Sequence, residues 1–193
     1  EKITTNTQAI LATHVFGHPC DIDKIDGIAK KYDLKVIYDA AHCFGSFYKN
    51  KSLLSFGDIS TGSFHATKIF HTVEGGCVTT NNSQTAEQLI LKRDHGFLNK
   101  ESITFGINGR QSEFHAAMGI CNLNYIEQQL QKRKKDSDLY LKKLKDSDLS
   151  FPEILTEETY NFAYFPVVFQ TEKKLLIALN ILEKNAVFCR RYF

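Results

Sequence analysis

An α/β fold is predicted by three observations in the first 40 residues. Residues 8–15 (QAILATHV) form a short apolar run suited to a buried strand, and residues 35–39 (KVIYD) form another. Between them, residues 21–32 place Ile22, Ile25, Ile28 and Ala29 on one helical face. Strand, helix, strand in about 30 residues is a βαβ unit, which implies parallel strands covered by helices.

The helix of residues 21–32 has acids near its start and Lys30-Lys31 near its end, as the helix dipole favours. Residues 59–64 and 77–80 are further strand candidates, divided by a turn that carries Lys68 and by the glycine pair Gly75-Gly76. Residues 83–93 read as a helix. A longer helix begins near Gln111, where Phe114, Ala117, Cys121 and Tyr125 recur at helical spacing. Residues 131–145 are dense in lysine, but Leu139, Leu141 and Leu144 interrupt the run and Asp136 and Asp138 dilute it, which predicts a solvated helix face. After Asp146 the pattern changes. Pro152 marks a break, residues 161–169 (NFAYFPVVF) read as a strand despite Pro166, residues 172–184 as a helix, and residues 186–193 as the start of another extended run. Residues 1–146 are therefore expected to belong to one domain and residues 147–193 to open a second, smaller one.

With 193 residues, 42% hydrophobic and 24% charged, the composition is that of an ordinary globular protein. A net charge of +2 is too small to argue for nucleic-acid or membrane binding, and neither partner is expected. No signal peptide or membrane-length apolar run is present, which makes the cytoplasm the default location. The five cysteines are scattered, with no C-x-x-C pair, and are expected to be small buried hydrophobes in a reducing compartment. The seven histidines show no H-x-x-x-H or H-E-x-x-H spacing, so no metal site is expected.

The chemistry concentrates in Ser63-Phe64-His65-Ala66-Thr67-Lys68 and in Asp39 at the end of the second strand. Singly, Asp39 would read as a turn former, Ser63 as a strand-end hydroxyl and Lys68 as a surface lysine. Jointly they fit pyridoxal 5'-phosphate. A lysine in a turn beside a strand can hold its aldehyde, a nearby serine can bond its phosphate, and a strand-end aspartate can keep its ring nitrogen protonated. Lys68 lies among apolar residues, and partial burial favours the uncharged amine that attacks a carbonyl. The glycine pair that follows would let the backbone approach a ligand closely.

Together with Asp39-Ala40-Ala41-His42, Gly57-Asp58-Ile59, Glu74-Gly75-Gly76 and Gly106-Ile107-Asn108-Gly109-Arg110 leading into Glu113-Phe114-His115-Ala116-Ala117, these residues closely resemble the DegT/DnrJ/EryC1/StrS sugar aminotransferases. The resemblance runs through nearly the whole chain in the family's order. It implies the pyridoxal-phosphate-dependent transferase fold of type I, with a mixed, mostly parallel sheet in the large domain and the start of a small α+β domain. It makes Lys68 the covalent anchor and proton carrier, Asp39 the partner of the ring nitrogen, Ser63 a phosphate ligand and His42 a neighbour of the ring. Asn108 matches an asparagine that reaches the cofactor phosphate of the other subunit, which implies a homodimer with shared sites. Arg110 also matches, without a defined role.

The activity so implied is transfer of an amino group, usually from glutamate, to a nucleotide-linked keto-deoxy sugar, for polysaccharide or glycoside synthesis. The family's upstream phosphate-binding glycine-threonine contact and ring-stacking aromatic residue have no counterpart here. The chain is therefore expected to be part of a longer enzyme, inactive by itself. Two other readings stand beside this one: a pyridoxal-phosphate-dependent sugar dehydrase, disfavoured because those relatives replace the lysine by histidine, and a non-catalytic sensor that keeps the fold. A dinucleotide-dependent oxidoreductase is disfavoured because no G-x-G-x-x-G follows either early strand.

Overall fold

A computed structural model describes residues 2–192. β1 (Ala9–Thr13), α1 (Ile22–Tyr32) and β2 (Lys35–Asp39) form the expected βαβ unit. Two short strands follow, β3 (Phe47–Tyr48) and β4 (Lys51–Ser52), then β5 (Ile59–Ser63) and β6 (Gly76–Thr79). The main sheet has the order β1-β2-β5-β6, with β2 parallel to both neighbours and β6 antiparallel at one edge. This mixed sheet agrees with the fold that the sequence predicts.

Asp21 caps α1, its carboxylate accepting the Lys24 N–H at 3.2 Å, and Asp33 ends the helix in the left-handed conformation. Ile22 and Ala29 are buried against Val36, Tyr38, Ala40, Cys43 and Leu53, and Ile25 packs beside them. Ile28 is 41% exposed, contrary to its expected place on the same face. At about 100° per residue it points roughly 120° away from Ile22, off the apolar stripe.

α2 (Ser83–Arg93) is capped by Asn82, which accepts the Thr85 N–H at 2.8 Å. A hairpin follows, β7 (Phe97–Leu98) with β8 (Glu101–Ser102). The long helix expected from Gln111 is two helices, α3 (Glu113–Leu123) and α4 (Ile126–Leu144), separated at Asn124-Tyr125. The lysines of α4 lie on an exposed helix surface, as their dilution by aspartates predicts. β9 (Glu158–Thr159) adds to β3 in a small sheet of order β4-β3-β9, and α5 (Glu172–Lys184) is the last helix.

The chain divides into two compact units. One runs as far as Lys134 and takes in Ile154–Tyr164; the other holds Lys135–Glu153 and the residues from Phe165 onward. In the second unit Ser150 and Val168 pair as an isolated bridge, Phe165 packs on Tyr140 and Phe151, and Lys174 pairs with Asp148.

The strand expected over residues 161–169 does not form. Phe162 turns the backbone to φ +53°, the Asn161 side chain is spent on backbone carbonyls, and Pro166 has no N–H to give. Residues 187–192 are irregular rather than a strand, and Phe193 lies outside the described residues. The cysteines also depart from expectation: Cys43 is buried, Cys20 and Cys77 are partly so, and Cys121 and Cys189 are exposed, all with free thiols. Cys121 belongs to the apolar face of α3, which this chain leaves open. No helix among the described residues is long and apolar enough to cross a membrane.

The Gly57-Asp58 pair has a structural role at the entry to β5. Asp58 accepts the Val36 N–H at 2.8 Å, and that bond holds its carboxyl below the usual carboxylate range. Gly57 sits at φ +77°, and a Cβ there would come within 2.8 Å of the Tyr38 ring and 2.9 Å of the Val36 carbonyl. Gly57→Ala should therefore destabilise the fold by about 1–3 kcal/mol, readable as a lower midpoint of denaturant unfolding; an unchanged midpoint would contradict this packing.

Candidate active site

Ligands of open parallel sheets collect beyond the carboxyl ends of the strands, and there His42, Ser63 and Lys68 line one cleft, with Asp39 at the strand end beside it. Thr13, Asp39 and Thr61 stand in register across β1, β2 and β5. Asp39 ends β2, and one of its carboxylate oxygens accepts the Ala41 N–H at 3.0 Å, which sets the carboxylate at the mouth of the loop that carries His42. Ser63 ends β5. From it the chain turns through His65, whose carbonyl accepts the Lys68 N–H at 2.9 Å, and returns at Thr72, whose N–H bonds the Phe64 carbonyl at 2.9 Å.

Aromatic packing anchors this lysine turn at both ends. Phe64 precedes it and Phe70 follows it, and their rings meet edge to face with centroids 5.1 Å apart. Phe44, from the His42 loop, stacks on Phe70 at 4.3 Å. Ile69 and Phe70 are buried, and Lys68 beside them is half-buried. The two loops bound a narrow cleft lined by His42, Ser63, Lys68, Ile69, Ala163 and Tyr164, with Ala41, Phe44 and Thr67 around them. A second hollow, at Ser52, Leu54, Phe56 and Thr79, holds none of the predicted residues.

The electrostatics tie the predicted groups together. Burial holds the His42 imidazole below its ordinary pKa, the Lys68 ammonium pushes it the same way, and the Asp39 carboxylate opposes both. The glycine pair plays a different part from the one expected. Gly75 and Gly76 do not line the cleft, and a Cβ on Gly76 would lie 2.6 Å from the Gly62 carbonyl, so its bareness serves the pairing of β6 with β5. Asn108 is not brought to Lys68 within the chain. It is exposed and bridges to Asp94, while Arg110 pairs with the Asp94 carboxylate at 3.2 Å.

Several residues at this site lie outside the sequence-derived set. Tyr164 and Ala163 reach the cleft from a segment that reads as a strand elsewhere. His14 is the other addition; it lies near the end of the apolar run of residues 8–15 and, in the structure, directly after β1. It is fully buried, stacked on Tyr38 at 4.6 Å, and its Nδ1 accepts the Cys20 N–H at 3.1 Å. A neutral imidazole whose Nδ1 is an acceptor carries its proton on Nε2, which has no partner among the described residues. Burial lowers the His14 pKa to about 4, against the pull of Asp39.

The family model for the DegT/DnrJ/EryC1/StrS aminotransferases matches residues 1–193. The chain belongs to this family. Over its whole length it is 40% identical to the Shigella dysenteriae dTDP-4-amino-4,6-dideoxy-D-glucose transaminase, of which it covers 54%. It is 36% identical to the Aneurinibacillus thermoaerophilus dTDP-3-amino-3,6-dideoxy-alpha-D-galactopyranose transaminase, with 86% of this chain and 47% of that protein covered. Among solved structures, Helicobacter pylori PseC, an aminotransferase involved in the biosynthesis of pseudoaminic acid, superposes with a TM-score of 0.86 at 30% identity, over 95% of this chain and 52% of that one. DesI, solved in the presence of its TDP-sugar product, gives a TM-score of 0.90 at 27% identity, over all of this chain and 50% of that one. This DegT/DnrJ/EryC1/StrS chain thus spans about half the length of the relatives it matches.

His14 makes acid stability a test of the site's architecture. In the unfolded family member its imidazole takes a proton near pH 6.5, whereas the folded one resists protonation down to about pH 4. Unfolding thus takes up a proton between these values, and stability falls as the pH drops from 6.5 to 4, by about 3 kcal/mol in all. His14→Gln should flatten that slope in denaturant titrations across this range, and an unchanged slope would assign the acid sensitivity elsewhere.

Proposed function

We propose that the full-length protein is a pyridoxal-phosphate-dependent aminotransferase that moves an amino group from an amino acid, glutamate by preference, to a nucleotide-linked keto-deoxy sugar. The observation that carries this reading is the convergence of Lys68, His42 and Ser63 on one cleft, with the Asp39 charge acting on it. The donor set suits the cofactor: an amine for its aldehyde, a hydroxyl for its phosphate and a carboxylate for its ring nitrogen. Relatives that act on dTDP-linked and GDP-linked amino sugars support the substrate class.

When bound, pyridoxal phosphate supplies an electron sink for charge that develops on the substrate carbon. Lys68 would hold it through Nζ, and its free amine would carry the proton taken from the substrate carbon. Asp39 would keep the ring nitrogen protonated, with one carboxylate oxygen oriented by the Ala41 N–H at 3.0 Å. Ser63 would hold the phosphate, and His42, which lines the same cleft, would neighbour the ring. The half-buried setting of Lys68 limits the water that would compete for its amine.

We further propose that the active unit is a homodimer in which Asn108 serves the partner's site. Phe105 and Ile107, next to Asn108, are 94% and 68% exposed, and Phe114 and Ile120 on α3 are 89% and 67% exposed. Large apolar side chains at such exposure are the material of a protein interface. In this reading residues 1–146 belong to the large domain and residues 147–193 begin the small one, except that Ile154–Tyr164 pack in the first compact unit, and the enzyme works in the cytoplasm.

Borohydride reduction of the full-length protein with pyridoxal phosphate, followed by peptide mapping, should place the cofactor on Lys68. Lys68→Ala should cut amino transfer by about 10²–10⁴-fold. A reduced adduct on another lysine would sink the assignment, and a Lys68 adduct with no glutamate half-reaction would favour a sensor. The shared site has its own check. Lys68→Ala and Asn108→Ala subunits, mixed and allowed to exchange at random, should regain native composition in about one quarter of sites. Activity no higher than the sum of the separate variants would refute sharing.

A further inference from the structure

We propose that Tyr164 is a positioning residue for His42: carried to the Lys68 cleft on a strap of residues 158–164, it packs on the imidazole and shields it from water. The bearing of this on catalysis rests on the function proposed above, in which His42 faces the cofactor.

The strap is fastened far more firmly than its irregular backbone suggests. It starts as β9, in register with β3 at Tyr48 and Phe47. The side chain of Glu158, fully buried, meets His18 Nδ1 at 2.7 Å, and the His18 ring stacks on Tyr160 at 3.9 Å. The Tyr160 hydroxyl lies 3.1 Å from the Phe16 carbonyl and 3.0 Å from that of Tyr164, and donates to one at a time. Asn161, fully buried, is the latch. Its amide nitrogen donates to the carbonyls of His42 and Phe44, each at 2.8 Å, and its oxygen accepts the Ala163 N–H at 3.0 Å.

One side chain therefore ties the His42 loop to the strap residue next to Tyr164. Gly17 makes room for that latch: it holds φ +90°, and a Cβ there would fall 2.6 Å from the His42 carbonyl and 3.3 Å from the Asn161 oxygen. A strap that only covered the sheet would need no such convergence on one loop. It ends with the Tyr164 ring 4.6 Å from the His42 ring and 5.3 Å from Phe16, whose ring lies nearly parallel to His42 at 6.4 Å.

The charged groups that act on His42 are Lys68 and Asp39, and they oppose each other; burial is the largest influence and keeps the imidazole uncharged. An uncharged His42 does not repel the positive charge that Lys68 would take on when it carries the substrate proton. Opening the Tyr164 side would let water solvate the imidazolium and raise the His42 pKa toward the ordinary 6.5.

The test is a proton NMR titration of His42 in the full-length protein without cofactor, the signal assigned by its loss in His42→Gln. Tyr164→Phe should leave the midpoint where it is in the wild type, Tyr164→Ala should raise it, and Tyr164→Leu should raise it by less. If the alanine variant does not fold, the leucine variant decides. A midpoint that stays at the wild-type value when the ring is removed would overturn the proposal. The two readings fail separately: Lys68 that takes no pyridoxal phosphate refutes the function, while the His42 titration answers for Tyr164 alone.

Discussion

The parallel placement of β2 between β1 and β5 is the constraint on which the site depends. Parallel strands bring their carboxyl ends to one edge of the sheet, and the register sets Thr13, Asp39 and Thr61 side by side there. From this edge two loops must depart, one after Asp39 and one after Ser63, and they can only run next to each other. A shift of one residue in β2 would turn Tyr38 out of the core and Asp39 into it. Burial of Tyr38 at 1% exposure makes that slip costly. The position of the carboxylate is thus set by an apolar ring one residue away.

The loops are held by packing rather than by regular secondary structure. Phe44 from one and Phe64 and Phe70 from the other form a cluster that fixes the lysine turn, while Asn161 bonds the backbone of the other loop from behind. Exclusion of water then decides charge. His14 and His42 lie near the Asp39 carboxylate, which would favour their protonated forms, yet burial outweighs it at both. Neutral histidines around an aspartate leave its charge uncancelled and available to a ligand.

Much of this was legible in the sequence because its causes are local. The βαβ unit shows in apolar runs of strand length around a helical stripe, the cap of α1 shows in Asp21, and Asp39, Ser63 and Lys68 sit where strands end. Other features were misread for equally physical reasons. NFAYFPVVF has the composition of a strand, but a strand needs a neighbour with free backbone groups, and Asn161 finds better partners in the carbonyls of His42 and Phe44. Gly75-Gly76 looked like a ligand cradle, and the crowding that requires Gly76 to be bare comes from β5.

By itself the sequence determined the fold class, the family and the chemical identity of the groups at the strand ends, because short-range periodicity and motif spacing encode them. Only the tertiary structure decided that Tyr164, about 100 residues beyond the lysine turn, lines the same cleft, that His14 is buried with no partner for Nε2 among the described residues, and that Asn161 closes the His42 loop. These are contacts between distant segments. They arise from which surfaces exclude water from one another, and no local pattern records that choice.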